Sequence, residues 1–165
     1  MSGVETAARV LTAGMADFLQ RHLFLTLATH NPDRSLHVVP VCYLFDGGRF
    51  YVATSSSTRK ARNLATRPDV TVTVDDRGAI GWISATGRAE LIRGSESRAV
   101  NKRLYRRWMT DEGLDVVGRV LHDIEDVAIV ITPRSWLAWD MASMFFPALE
   151  EAGIPLDRPE RWFLA

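Results

Sequence analysis

Cysteine is nearly missing from this chain. Cys42 stands alone, so no internal disulfide can staple the fold, and the core must be built from apolar side chains. It lies in an apolar strand pattern, where a buried, inert thiol in a reducing setting is expected. Net charge is lacking as well. Lysines and arginines number 20, aspartates and glutamates 20, which removes any general attraction to nucleic acid or to an anionic membrane. A basic site must therefore be local. No apolar run reaches the roughly 20 residues of a membrane helix. No basic start leads into a signal-type apolar stretch, so a soluble cytoplasmic protein is expected. Walker-type loops and Gly-rich dinucleotide fingerprints are absent. His22, His30, His37 and His122 are scattered without cysteine pairs, which argues against zinc. No internal repeat or low-complexity segment is visible.

What is present suits one domain spanning residues 1–165, with 47% apolar residues to fill its core. Val4, Ala8, Leu11, Met15, Phe18 and Leu19 recur at helical spacing, which predicts an amphipathic helix over Val4 to Gln20. His22 to Ala28 reads as a first strand. It is closed by Asn31-Pro32-Asp33, so a hairpin is expected. Ser35 to Phe45 reads as the second strand, with both faces largely apolar. It should therefore be covered twice, by the barrel interior and by another chain or a ligand. Pro40 in its middle cannot donate to a ladder and demands an edge or a bulge. Asp46-Gly47-Gly48 turns the chain into a third strand, Arg49 to Ala53.

A short helix follows and should stop by Arg67, ahead of Pro68. Val70 to Val74 and Trp82 to Ile92 read as neighbouring fourth and fifth strands. A helical region opens at Arg93-Gly94-Ser95 with Ser95 as candidate cap, and Val100, Leu104, Tyr105 and Trp108 form its apolar stripe. Leu114 to Leu121 adds further helix. Val127 to Thr132 and Ser135 to Asp140 read as a sixth and a short seventh strand. The turn-rich tail from Met141 to Ala165 carries Met144, Phe145, Phe146, Trp162 and Phe163, too many large apolar groups to stay solvated. It should pack on the body or on a partner chain.

The stretch that concentrates chemistry is Thr54 to Asn63. Ser55, Ser56, Ser57 and Thr58 precede the short helix, and one of them can cap its free N–H groups, which favour a phosphate. Arg59, Lys60 and Arg62 crowd the first turns, where the helix dipole disfavours positive charge. No acidic residue occurs between Asp46 and Asp69. Arg59 and Asn63 are four apart and share a helix face, so hydroxyls, guanidinium and ammonium can converge on one phosphate. A solvated basic helix is the plainer alternative.

The order of pieces then becomes informative: Leu-Thr-Leu-Ala-Thr, Val-Val-Pro-Val, Tyr-Val-Ala-Thr, Thr-Arg-Lys-Ala-Arg-Asn-Leu and Pro-Asp-Val, with Trp-Leu-Ala-Trp-Asp near the end. Over about Phe18 to Thr132 this order resembles the flavin- and deazaflavin-binding split β-barrels related to pyridoxamine phosphate oxidase. The resemblance implies a mainly β fold, a six-stranded antiparallel split barrel with flanking helices. It also implies a homodimer with two cofactor sites in the clefts between chains. Carried over residue by residue, His37, Val39, Pro40 and Val41 would line the tricyclic ring, and Thr54 and Ser55 would lie near the ribityl chain. Thr58, Arg59, Lys60 and Asn63 would hold the phosphate, within the run that includes Ser56 and Ser57. Trp82 would approach the ring from the second chain.

The ending Arg-Pro-Glu-Arg-Trp-Phe-Leu-Ala departs in spacing from that of true pyridoxamine phosphate oxidases. The chain looks closer to the branch that uses the deazaflavin coenzyme F-420. The expected activity is therefore hydride transfer from a deazaflavin to a small unsaturated or quinone-like molecule, with the cofactor doing the redox chemistry and no dedicated catalytic acid or base. The alternatives are an FMN-dependent enzyme of the same fold, and a flavin- or haem-binding module that turns nothing over. His37, a lone histidine in an apolar strand, is more often a hydrogen-bonded structural residue than a proton source. Trp136 and Trp139 fit a core or dimer seam better than a substrate box.

Overall fold

A computed structural model of the chain describes residues 6–8, 10–76, 81–120, 125–140 and 147–154. Among the described residues, eight strands and four longer helices follow in the order β1 (Thr6–Ala8), α1 (Ala13–Arg21), β2 (Phe24–His30), β3 (Leu36–Cys42), β4 (Leu44–Asp46), β5 (Arg49–Ser55), α2 (Arg59–Thr66), β6 (Asp69–Asp76), β7 (Gly81–Ile92), α3 (Gly94–Tyr105), α4 (Asp111–Val120) and β8 (Asp126–Asp140), with a short helical stretch at 147–151 after them. The fold is mainly β, one antiparallel sheet in the order β3-β2-β6-β7-β8-β5-β4, with β1 attached to β8. Its two ends, β3 and β4, are separated in the chain only by Tyr43. Strands at opposite ends of the order are thus covalently adjacent, which forces the sheet to curl back on itself as a split barrel does.

Tyr43 is where the expected second strand divides. Its N–H donates to the Leu23 carbonyl at 3.0 Å, its carbonyl accepts from Arg107 at 2.6 Å, and its buried hydroxyl donates to the Leu19 carbonyl at 2.6 Å. With its backbone groups engaged outside any ladder, the strand ends on one side and restarts on the other. That division and the addition of β1 bring the path to seven strands plus β1, where six were expected. The predicted sixth and seventh strands are instead one, β8. Opposite it, the register shifts between Thr86 and Gly87, leaving Arg134 as the unpaired extra residue. Gly87 is required there, because a Cβ would lie 2.3 Å from the Thr132 carbonyl oxygen.

Other boundaries also shift. The N-terminal helix is α1 alone, not Val4 to Gln20. Thr12 caps it by accepting from the Met15 N–H at 3.2 Å, and Val10 is 72% exposed. Ser95 does not cap α3. The cap position is Arg93, without a side-chain bond, while Ser97 donates to the carbonyls of Gly94 and Asp126 at 3.0 and 3.1 Å. Helix α4 begins three residues before Leu114, at Asp111. The β2–β3 hairpin, the β6–β7 pairing and the stop of α2 before Pro68 are as read from sequence. Met144, Phe145, Phe146, Trp162 and Phe163 lie outside the described residues, as do Val4 and His122.

The interior is lined by alternate residues of the strands: Leu25 and Leu27, Val52, Val70, Val72 and Val74, Ile83 and Ala85, Ile129 and Ile131. Tyr43, Phe45, Phe50 and Trp136 close one end of it, with ring centroids 4.9 to 6.2 Å apart. Trp136 is thus a core residue. Among the described residues, no helix is long and apolar enough to cross a membrane.

Candidate functional site at the β5 to α2 turn

Strand β5 runs antiparallel to β8 and ends where Ser55 faces Asp126. The next three residues fold, with Ser55, into a turn that satisfies itself. The Ser57 N–H donates to Ser55 Oγ at 3.2 Å, and the hydroxyls of Ser55 and Ser57 are 2.9 Å apart. Of the four candidate hydroxyl residues it is Thr58 that caps α2, accepting from the Ala61 N–H at 3.4 Å while donating to the Ser55 carbonyl at 2.9 Å. The nearly buried Thr54 hydroxyl lies 3.0 Å from that of Thr58. Ser56 turns the other way. Its N–H and hydroxyl both bind Glu125, at 3.1 Å to the carbonyl and 2.5 Å to the carboxylate. A carboxylate 69 residues further on thus reaches a turn that has none of its own, and Arg93 pairs with its other oxygen at 3.1 Å.

The helix that follows divides its cations. Arg59, Arg62 and Asn63 lie on one side and, with Arg67, form one wall of a cleft of about 710 Å³. The facing wall is the β2–β3 turn, with His30, Asn31 and Asp33. Asn63, 5% exposed, ties the walls together by donating to Thr29 Oγ1 at 3.1 Å and to Asn31 Oδ1 at 3.0 Å. Thr29 in turn donates to the His37 carbonyl at 3.5 Å. Arg34 completes the turn at φ 70, in the left-handed region. Asp33 carries the acidic charge of the cleft. Hydrogen bonds from the Ser35 hydroxyl and N–H, with a smaller contribution from Arg59, hold its carboxyl below the usual range. Arg62 donates to the Ser57 carbonyl.

Lys60 does not join this wall. One residue on from Arg59, it projects about 100° further round the helix. It is half-buried, and burial lowers its pKa. No carboxylate or hydrogen-bond partner meets its ammonium among the described residues.

The ring-lining residues expected on β3 are split by strand alternation. His37, Val39 and Val41 pair with Thr29, Leu27 and Leu25 on the inner face. Pro40 pairs with Thr26 on the outer face. Strand β3 is an edge of the sheet, the setting Pro40 requires. The outer face it shares with β2 carries Phe24 (60% exposed), Leu36 (59%) and Val38 (53%). Trp82, half-buried, stands elsewhere. It lines a shallow depression with Thr73, Asp75, Ser84 and Leu137. The chain leaving α2 meets β7 at Ala89, whose N–H donates to the Pro68 carbonyl. Seven residues separate that point from Trp82, roughly 23 Å of strand. Within one chain, Trp82 and the α2 cleft are apart.

Among the cleft residues that sequence reasoning did not assign are His30, Asn31, Asp33, Arg62 and Arg67. The triplet Asn31-Pro32-Asp33 was legible as a turn. That the turn docks on α2 depends on the Asn63 to Asn31 contact across 32 residues, which no local pattern carries.

A turn-bound basic helix on a curled antiparallel sheet with flanking helices defines a split β-barrel. The sequence model of the pyridoxamine 5'-phosphate oxidase family matches residues 11–140, and the chain belongs to that family. Among solved structures, it is similar to a conserved hypothetical protein from Mycobacterium tuberculosis, at 26% identity over 82% of this chain and 89% of that one, with a TM-score of 0.69. It shares its fold with a protein described as an F-420 reductase (23% identity, 76% and 98% covered, TM-score 0.62). The haem storage protein HutZ of Vibrio cholerae has it too (18% identity, 73% and 87% covered, TM-score 0.59). None of the curated proteins matches the sequence.

Proposed function

We propose that this chain is an oxidoreductase that binds a phosphate-bearing deazaflavin, coenzyme F-420, at the β5 to α2 turn and transfers hydride to a small unsaturated or quinone-like molecule. The observation that carries this reading is Lys60, a half-buried ammonium without a counter-ion among the described residues, beside the Thr58-capped end of α2. A cation withdrawn from water without an anion is unfavourable, and a helix N-terminus favours a phosphate in the same place. Lys60 and Arg59, diverging around the helix, would grip such a phosphate from two sides, across the end of the helix axis.

The remaining residues take supporting parts. Thr54, Ser55, Ser57 and Thr58 hold the turn in shape through their mutual hydrogen bonds, with Thr54 and Ser55 toward the ribityl chain. Ser56 anchors the turn to Glu125. Asn63 holds the β2–β3 turn against α2 and so keeps the cleft at its width. On β3, the unpaired edge offers backbone donors and acceptors to a planar polar ring around His37, Val39, Pro40 and Val41. When bound, the deazaflavin supplies the hydride chemistry. The chain's own residues bind it, orient it and exclude water.

The exposed apolar face of Phe24, Leu36 and Val38 supports a homodimer, in which the partner would bring its Trp82 to the ring. Family membership favours one second reading, FMN in the same seat. Protein purified from its own host discriminates between them: blue fluorescence marks a deazaflavin and yellow colour a flavin. Titration with each cofactor, followed by tryptophan quenching, then ranks the affinities. Failure to bind either cofactor refutes the proposal.

A further inference from the structure

On the other side of β5 and β8, helices α3 and α4 enclose a second cleft of about 640 Å³, within the size range of small-molecule sites. At its base lies Asn101, 1% exposed. Its amide nitrogen donates to Asp126 Oδ2 at 2.7 Å and to the Val127 carbonyl at 3.3 Å, which fixes which way the side chain points. The Oδ1 atom left over has no hydrogen-bond partner, the one such buried side-chain atom among the described residues. A buried acceptor without a donor is unfavourable, and it marks a place where a donor from outside belongs.

The surroundings say what else that donor should carry. Arg98 and Lys102 are one helical turn apart on α3, exposed at the rim, and neither has an ion-pair partner among the described residues. Arg93 nearby is already taken by Glu125. Leu114 and Val117 of α4 supply an apolar wall opposite, and Asp115 beside them adds a carboxylate that an anion must avoid by lying toward α3. The Tyr105 phenol, pushed up to about 12 by burial and by Asp126, stays protonated as a further donor. Burial also raises the Asp126 carboxyl.

We infer that the α3–α4 cleft is a second binding site, for a small organic anion that combines a carboxylate or sulfonate, an apolar body and an N–H donor. The anion meets Arg98 and Lys102, the body lies against Leu114 and Val117, and the N–H fills the empty valence of Asn101 Oδ1. The site does not depend on the cofactor reading, since it shares neither Arg59 nor Lys60.

The test uses the full chain and 6-anilinonaphthalene-2-sulfonate, which carries all three features, with its N–H and sulfonate at opposite ends of the ring system, and fluoresces when it leaves water. Saturable one-to-one binding is expected. The double variant R98A/K102A should weaken it at least about tenfold, through loss of charge-assisted contacts. V117W, which fills the cleft, should abolish it. The N-methyl derivative of the probe, lacking the N–H, should bind the parent protein several-fold more weakly. R59A/K60A and V38D should bind the probe as the parent does, which separates this site from the cofactor seat and from the outer sheet face. Unchanged binding in R98A/K102A and V117W overturns the inference. Absence of saturable binding, or loss of binding in V38D alone, does so as well.

Discussion

The two cations that open α2 are adjacent in sequence yet predicted to differ in worth, and the difference follows from where each one stands. Lys60 is half-buried and unpaired among the described residues, so its attraction for a phosphate is weakly screened and meets no competing carboxylate there. Arg59 is exposed, and its charge is felt by Asp33 across the cleft. A charge-assisted hydrogen bond in the first setting is worth about 2 kcal/mol, or roughly 30-fold in affinity. In the second, about 0.5 to 1 kcal/mol remains, two- to five-fold. Lys60→Ala should therefore weaken cofactor binding more than Arg59→Ala, measured by tryptophan quenching on variants whose melting temperatures match the parent. Asp33→Asn should strengthen binding slightly by freeing Arg59.

Proton linkage gives a second readout of the same geometry. Burial lowers the Lys60 pKa from the ordinary 10.5, and a phosphate beside it would raise it again. Binding should then take up protons at pH values just below 10.5, seen by calorimetry in buffers of different ionisation enthalpy. Equal losses in the two variants, a larger loss in Arg59→Ala, or no proton uptake would refute the assignment of Lys60 as the principal anchor.

Three further outcomes test the fold around the site. Gly87→Ala drives a methyl group toward the Thr132 carbonyl, where backbone faces backbone and no rotamer can relieve it. It should lower unfolding stability by about 3 kcal/mol in urea, at the upper end of overpacking effects. Arg107→Ala leaves the carbonyls of Tyr43, Gln20 and His22 without their shared donor. A loss of about 2 to 3 kcal/mol is expected, only partly recovered by Lys, which lacks the planar fork. For Asp126 the folded carboxyl titrates above its ordinary 3.8 because of burial. The folded state then holds more protons than the unfolded one just above pH 3.8, so stability falls as pH rises through that window. In Asp126→Asn this part of the decline should vanish from denaturation curves measured across it.

Much of the sheet was legible because strands bury alternate residues and turns use Gly, Pro and Asp. Val70, Val72 and Val74 could belong only to a strand with one buried face, and Gly47-Gly48 only to a tight turn. The helix at Arg59 was bounded by Thr58 before it and Pro68 after it, both short-range signals. What misled was continuity. Ser35 to Phe45 reads as one strand, but Tyr43 gives its backbone to Leu23 and Arg107. Val127 to Thr132 and Ser135 to Asp140 read as two strands, but a bulge opposite Gly87 carries β8 through Pro133 and Arg134. The hydroxyl run was correctly located, but the destination of Ser56 was not, since Glu125 comes from a distant part of the chain.

By itself the amino-acid order determined most of the element types, the presence of a hydroxyl cap on α2, the edge or bulge that Pro40 demands and the accumulation of positive charge after β5. Each of these rests on contacts within a few residues. Only the tertiary structure decided that Lys60 is withdrawn from solvent while Arg59 looks across at Asp33, that Asn63 clamps the β2–β3 turn, and that Asn101 keeps an empty acceptor beneath Arg98 and Lys102. Those properties depend on which distant segments the curled sheet brings together, and burial and pairing are relations between segments that no local pattern encodes.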